Sequence, residues 1–456
     1  MVLAKDKNES QAMHWLIQSV QLYQMNWSCW LEMTSLIGRI EEVSLKILTL
    51  NKTDIIQLNQ LYSLVPAHIF GYIFNIHTSL ELYQSNQELA DNLSQVLSIF
   101  PTSPFILTCV ALLAYHTKDF VTADAHFSNL LALHPHRLDS LDHYSNILYV
   151  MNLRPKLSFL AHLCSAVDKF RPESCVVIGN YYSLLSSHEK AVQYFRRALT
   201  LDRSCLSAWT LMGHEYVELK NTHAAIESYR RAVDVNRRDY RAWYGLGQTY
   251  EVLEMHAYAL WYYKRAAGLR PWDGKMWMAV GSCLQKMGRD LEGIKALKRA
   301  LQADSYYDAG VGSSFGSGGR ERAAIMDPEI LLQIAGMYER LEDEAEAKSY
   351  MEMCVAQEEG AAENLDSSVI NIHADSQSSD DDARPQGGGG GGDTGTGVTA
   401  ATSKARMWLA KFAMRTGDYN RAMQLATELC QDGVEVEEAK ALVREVRVRQ
   451  EAGGSL

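Results

Sequence analysis

Among the residues whose types could do chemistry, His214-Glu215 opens like the helical zinc motif HExxH, in which two imidazoles one turn apart hold the ion and the glutamate is the base. The second imidazole would stand at 218, where the chain has Glu218, so the metal set is broken. Gly245 and Gly247, followed by Tyr250 in YRAWYGLGQTY, approach the glycine-rich turn that cradles a pyrophosphate. That fingerprint needs a third glycine and a preceding apolar strand, and the stretch has neither. His134-Pro135-His136 is too short and rigid to bring two rings to one ion easily, and reads as a loop pair. There is no GxSxG, no Walker loop, and no cysteine with a recognisable His/Asn partner segment. The expectation is a chain with no catalytic residue, no metal ligand and no cofactor.

The glycines belong to a period instead. Trp209, Trp243 and Trp277 stand 34 residues apart, with Cys175 one period earlier. Gly179, Gly213, Gly247 and Gly281 follow four residues later, and Tyr182, Tyr216 and Tyr250 three after those. Ala191, Ala225 and Ala259 keep the same step, as do Phe195, Tyr229, Tyr263 and Leu297. This is the tetratricopeptide pattern of a helix, a tight turn and a second antiparallel helix. Bulky positions fill the gap between helices and small ones let backbones approach. Trp209, Gly213, Tyr216, Trp243, Gly247, Tyr250, Trp277 and Gly281 are therefore expected as structural anchors. The predicted fold class is all-α, a tetratricopeptide solenoid of helix pairs stacked into a right-handed superhelix.

Extending the period sets the domain boundaries. Seven repeats in register are expected over 70–307, starting near 70, 104, 138, 172, 206, 240 and 274, with the copy at 138 degenerate. Ala12 and Trp30 have the spacing of Ala225 and Trp243, which puts another boundary near residue 27, and 1–69 should hold partial and irregular repeats. A Gly/Ser-rich insertion covers 308–327, after which Asp327-Pro328 starts a repeat over 328–361. Residues 362–402 carry six consecutive glycines and an acidic run, and should be disordered. There Ser378 and Ser379, ahead of Asp380, Asp381 and Asp382, suit an acid-directed kinase. A final repeat and a charged capping helix are expected over 403–450. On this register Met1 falls inside the first helix of a pair, so the chain is expected to be N-terminally incomplete.

Composition narrows the function classes. The chain has 456 residues, 47% of them hydrophobic, and a net charge of -11, which argues against a nucleic-acid groove as its main purpose. No run of 18 apolar residues spans a membrane, and MVLAKDKNES is too polar for a signal peptide. Eight cysteines without a CxxC read as reduced core thiols of an intracellular protein. What remains is an interaction surface. Counting along the first helix of each pair, Asn180, Thr210, His214, Arg241, Tyr244, Gln248 and Lys275 should line an inner groove. Asn180, His214 and Gln248 could hydrogen-bond a peptide backbone, while Arg241 and Lys275 could meet a carboxylate. An ordinary solvated helix face is the competing account of each of them.

Beyond the bare repeat, VIGNYYSLLSSHEKAVQYFRRALTLD, GHEYVELKNTHAA and NRRDYRAWYGLGQTYE occupy positions that the period leaves free, and SNILYVMNLRPKLSFLAHLC precedes them. These stretches closely resemble the anaphase-promoting complex subunit 8 (cell division cycle 23) family, and the likeness extends more weakly from the N-terminus to about 450. The resemblance implies a non-catalytic scaffold subunit of a multisubunit ubiquitin ligase acting in mitosis, found in nucleus and cytoplasm. Its implied partners are the other tetratricopeptide and scaffold subunits and activator proteins, with no nucleic acid and no membrane. It also implies self-pairing through N-terminal repeats that lie largely upstream of this chain, so no activator-contact residue is carried over. The two insertions depart from the family pattern. The alternative is a tetratricopeptide co-chaperone or other peptide-binding adaptor, although a carboxylate clamp would need matched Lys and Asn positions. Here His214 and Gln248 follow Asn180.

Overall fold

The computed structural model describes residues 9–40, 69–81, 87–310, 326–358, 398–432 and 436–453, and every regular element among them is helical. The chain divides into two compact units, Met1–Pro271 and Trp272–Leu456. In the first, helices pair as α1 (Glu9–Leu22) with α2 (Trp27–Ile40), α3 (Ile69–Glu81) with α4 (Gln87–Ile99), and α5 (Pro104–His116) with α6 (Phe120–Leu133). α7 (Leu141–Val150) pairs with α8 (Arg154–Val167), α9 (Pro172–Leu184) with α10 (His188–Leu201), α11 (Leu206–Glu218) with α12 (Thr222–Val235), and α13 (Tyr240–Val252) with α14 (His256–Leu269). The second unit holds α15 (Gly274–Lys286), α16 (Asp290–Gly310), α17 (Pro328–Arg340), α18 (Glu344–Ala356), α19 (Ala400–Thr416), α20 (Tyr419–Asp432) and α21 (Val436–Gly453).

Local chemistry sets the helix starts. Pro104, Pro172 and Pro328 open α5, α9 and α17, where a missing N–H costs nothing. Asp119, Asn221, Asp239, Asp273, Asp327 and Asp343 accept backbone N–H groups as N-caps. The tight turn inside each pair has a signature of its own. Lys118, Asn152, Ser186, Lys220, Glu254 and Gly288 all have positive φ, each 34 residues after the last. The next, Glu342, comes 54 residues on, a full period plus the twenty inserted. The insertion therefore delays the repeat without changing its phase.

The core is built at two registers. Phe195, Tyr229 and Tyr263 on the second helices are fully buried, and a Cβ placed on Gly179, Gly213 or Gly247 would lie 2.4, 2.6 or 2.5 Å from those rings. Gly245, in the following repeat, would put its Cβ 2.5 Å from Tyr229 as well, so this ring is held between glycines of successive first helices. The glycines of GLGQTY are packing contacts. Between repeats, Arg196 Nη2 donates to Tyr216 Oη at 2.6 Å, and Arg230 Nη2 to Tyr250 Oη at 2.9 Å. In the second unit Lys298 Nζ does the same to Tyr338 Oη at 2.9 Å.

Several expectations need correction. Trp243 is buried, but Trp209, Trp277 and Tyr250 are only half-buried, so they do not plug the gap between helices. The tryptophans instead tie down the preceding loop. The indole Nε1 of Trp30, Trp209 and Trp243 donates to the carbonyl six residues earlier, Gln24, Arg203 and Arg237, at 2.9, 3.0 and 2.7 Å. An indole can cover apolar surface and still satisfy its N–H at the rim. The degenerate copy starts at Leu141 rather than 138, behind a left-handed Ser140. The insertion set at 308–327 begins late, because α16 continues to Gly310. The linker set at 362–402 ends early, because α19 starts at Ala400, where Thr399 and Thr402 form a reciprocal capping box. Expectations for 41–68, for most of 308–327, and for 359–397 with Ser378 and Ser379, lie outside the described residues.

Candidate protein-binding groove

The first helices of the first unit bring six of the seven expected groove residues onto α9, α11 and α13, and the structure sorts them. Asn180 is buried at 2% exposure, and its Nδ2 donates to Ser145 Oγ and Asn146 Oδ1 on α7, both at 2.7 Å. Thr210 is buried too, and its Oγ1 donates to Leu206 and Ser207 carbonyls of its own helix. Neither presents a donor to a peptide, because the neighbouring repeat or the helix backbone has taken it.

Gln248 is exposed, and His214 keeps accessible surface in the groove while the surrounding helices crowd and desolvate its ring. His214 Nδ1 lies 2.9 Å from the Oη of Tyr229, the ring held between glycines. The surrounding protein, and secondarily the Arg241 charge, press its imidazole down to about 4, so it is neutral at physiological pH. Arg241 and Tyr244 are half-buried. Tyr244 packs its ring 5.4 Å from that of Tyr263. Arg241 lies over the Tyr115 ring at 5.1 Å and the Tyr240 ring at 5.6 Å, and its Nε donates to Tyr240 Oη at 3.3 Å. The guanidinium expected to meet a ligand carboxylate is thus engaged by the chain's own aromatic rings. Lys275 belongs to the second unit, where it is exposed near the start of α15 and its backbone N–H is capped by Asp273.

Sequence reasoning missed the cluster beside Arg241. Arg270, 7% exposed, donates through Nη1 to Tyr240 Oη at 2.8 Å and through Nη2 to the His116 carbonyl at 2.6 Å, a contact between residues 154 apart. His116 ends α5, whose last carbonyls lack helical partners and carry the negative end of the dipole, so Arg270 caps that helix from four repeats away. Burial, then Arg241, His143 and Arg270, push the His116 imidazole well below its ordinary value. Asp142 is held low: burial opposes its charge, but His143, a 2.6 Å hydrogen bond from Ser207 Oγ and backbone N–H groups of His143 and Asp142 together outweigh that cost. One signal did exist in the sequence. Arg270 occupies the C-cap register where the two preceding second helices have Asp202 and Asn236.

The arrangement is therefore a stack of helix hairpins whose inner face is partly self-occupied. It has polar side chains at its surface at His214 and Gln248, and five buried thiols, Cys109, Cys164, Cys175, Cys283 and Cys354, that form no disulfide. Such a surface can bind protein. In class it is a tetratricopeptide repeat protein, and residues 172–205 and 213–253 match the families described as tetratricopeptide repeat and TPR repeat. Residues 1–111 match the family described as anaphase promoting complex subunit 8 / Cdc23. The chain is 39% identical over 451 residues to the anaphase-promoting complex subunit CDC23 of Saccharomyces cerevisiae, covering 98% of this chain and 64% of that protein. With subunit 8 of Arabidopsis thaliana it shares 44% over 212 residues, 46% of this chain and 34% of the relative. The chain is a homologue of anaphase-promoting complex subunit 8 / Cdc23. It spans less than two thirds of these relatives' length. A crystal structure described as the APC/C hetero-tetramer Cut9-Hcn1 superposes with a TM-score of 0.56 at 15% identity over 98% of this chain and 74% of that one, a likeness of fold.

Proposed function

We propose that the protein is a non-catalytic scaffold subunit of the anaphase-promoting complex, a multisubunit ubiquitin ligase, and that it binds other subunits of that complex in the nucleus and cytoplasm of dividing cells. The observation that carries the proposal is the identity to the yeast subunit along 98% of the chain. The repeats support it: they turn side chains into packing, clasps and caps, which suits a surface that holds partners. A co-chaperone clamp is less well supported, since Asn180 is buried against α7 and Arg241 is stacked on Tyr115.

Affinity purification of the tagged chain from dividing cells tests the proposal. Cullin-like, RING-bearing and other tetratricopeptide subunits should co-purify in near-equal amounts. Recovery chiefly of chaperones with EEVD tails would replace the proposal with the adaptor alternative, and turnover of a substrate by the isolated chain would overturn its non-catalytic part.

A further inference from the structure

The repeat register supplies an internal control for the solvent face of the first unit, and one repeat breaks with it. Trp261 on α14 is 59% exposed, whereas one and two periods earlier the same position holds exposed Glu227 and Gln193. Met255 replaces Asn221 and Ser187, Tyr258 replaces Ala224 and Lys190, and Val252 stands where the preceding repeat has Glu218. All four are strongly exposed, Val252 at 65% and Tyr258 at 58%. At 255, 258 and 261 both preceding hairpins are built with polar or small residues, so packing does not require apolar ones there; at 252 the preceding copy has Glu218 and the one before it half-buried Leu184. Single exposed apolar residues are ordinary, but four in one corner of one repeat form a patch.

The patch is rigid, and the helix that carries most of it bears cations and no carboxylate. Tyr250 stacks between Tyr258 and Tyr262 with centroids at 5.8 and 5.2 Å, and Trp261 sits edge-on to Trp243 at 5.8 Å, so little side-chain freedom remains to be lost on binding. Arg230 is hydrogen-bonded to Tyr250, Arg265 lies over the Trp243 ring at 5.7 Å, and Lys264 is exposed on α14 itself. α14, HAYALWYYKRAAGL, contains no carboxylate, and the nearest in sequence is Glu254 in the turn. Trp, Tyr, Met and Arg are the types enriched where protein interfaces concentrate their energy.

We propose that Val252, Met255, Tyr258 and Trp261, with Arg230, Lys264 and Arg265 beside them, form a docking surface for an acidic amphipathic helix of a partner protein. The helix lays its apolar stripe on the aromatic corner and its carboxylates against the cations. This rests on the register within the first unit and stands or falls separately from the assembly role.

The test uses the full chain and a synthetic helix of about 18 residues, with Leu at i, i+3, i+4 and i+7 and Glu at most other positions, beside a control with Lys for Glu. The acidic peptide should bind at least about tenfold tighter by fluorescence anisotropy. A triple variant, Val252→Glu, Met255→Asn and Trp261→Glu, takes residues this chain already carries one period earlier, and should lose at least about tenfold in affinity. If its circular dichroism shows misfolding, Tyr258→Lys, borrowed from two periods earlier, takes its place. Equal binding of both peptides, or unchanged binding to a folded variant, overturns the proposal. Self-association by sedimentation that the variant lacks would assign the patch to a second copy, and equally overturn it.

Discussion

Replacing Gly213 with alanine sets two physical effects against each other, and the structure decides which wins. In a helix interior, Gly→Ala gains about 1 kcal/mol from backbone entropy. Against this, the new Cβ would stand 2.6 Å from the Tyr229 ring, nearly 1 Å closer than ordinary contact. The ring has little room to retreat, because the backbone of Gly245 also packs on it, so closely that a Cβ there would lie 2.5 Å away, and its Oη is held near His214. Overpacking typically costs about 1–3 kcal/mol, and a ring confined on both sides belongs at the top of that range. The net expectation is a loss of about 2 kcal/mol, the difference between those two magnitudes. Gly336 in α17 is the control: nothing lies within 4 Å of its hypothetical Cβ, so Gly336→Ala should stabilise by about 0.5–1 kcal/mol. Hydrogen exchange read peptide by peptide is the appropriate assay, since a chain of two units need not melt in one step. Protection should fall in α11 to α13 for the first variant and rise in α17 for the second. An unchanged or stabilised Gly213→Ala would refute the confinement argument.

Trp243→Phe should cost about 1–2 kcal/mol through loss of the indole bond to the Arg237 carbonyl and of buried area, with exchange accelerating in the loop at 236–239. Asn180→Ala removes the buried bridge to Ser145 and Asn146 and should cost about 1–3 kcal/mol in denaturant titration, whereas Gln248→Ala on the exposed face should cost almost nothing. His214 is neutral in the fold and pressed to about 4, below its unfolded value of about 6.5. Its contribution is therefore present above pH 6.5 and lost as pH falls toward 4. His214→Gln, borrowed from position 248, should flatten that part of the stability profile, and an imidazole titrating near 6.5 by NMR would contradict it. Burial pushes the thiols of Cys109, Cys164 and Cys354 up to about 12, so all three should resist alkylation at pH 8 until the chain is unfolded, as mass spectrometry can follow.

The repeat register was legible in the sequence because it is written in volumes. Gly213 and Tyr229, or Gly247 and Tyr263, are sixteen residues apart in every copy, and a period of large and small positions survives translation into structure directly. The groove was legible only as a face. Periodicity put Asn180 and His214 on equivalent helix positions, but it could not tell that α7 offers Asn180 two acceptors while His214 finds the hydroxyl of Tyr229. The tryptophans misled for a related reason. Their size suggested filling, while the property that sets their place is a donor aimed six residues back into a loop. The Arg270 contact with His116 was the least accessible, since it joins residues 154 apart and no local pattern reports such a closure.

Those hydrogen-bonded indoles give the chain an optical use. Trp30, Trp209 and Trp243 each sit at a known repeat with the chromophore's own N–H tethered to the loop that must open before that repeat can detach. Breaking the tether lets water reach the indole nitrogen and moves its emission. With nine tryptophans in all, versions keeping one of the three and carrying phenylalanine elsewhere would turn each junction into its own spectroscopic channel. Fraying at one repeat could then be timed against another without any external label.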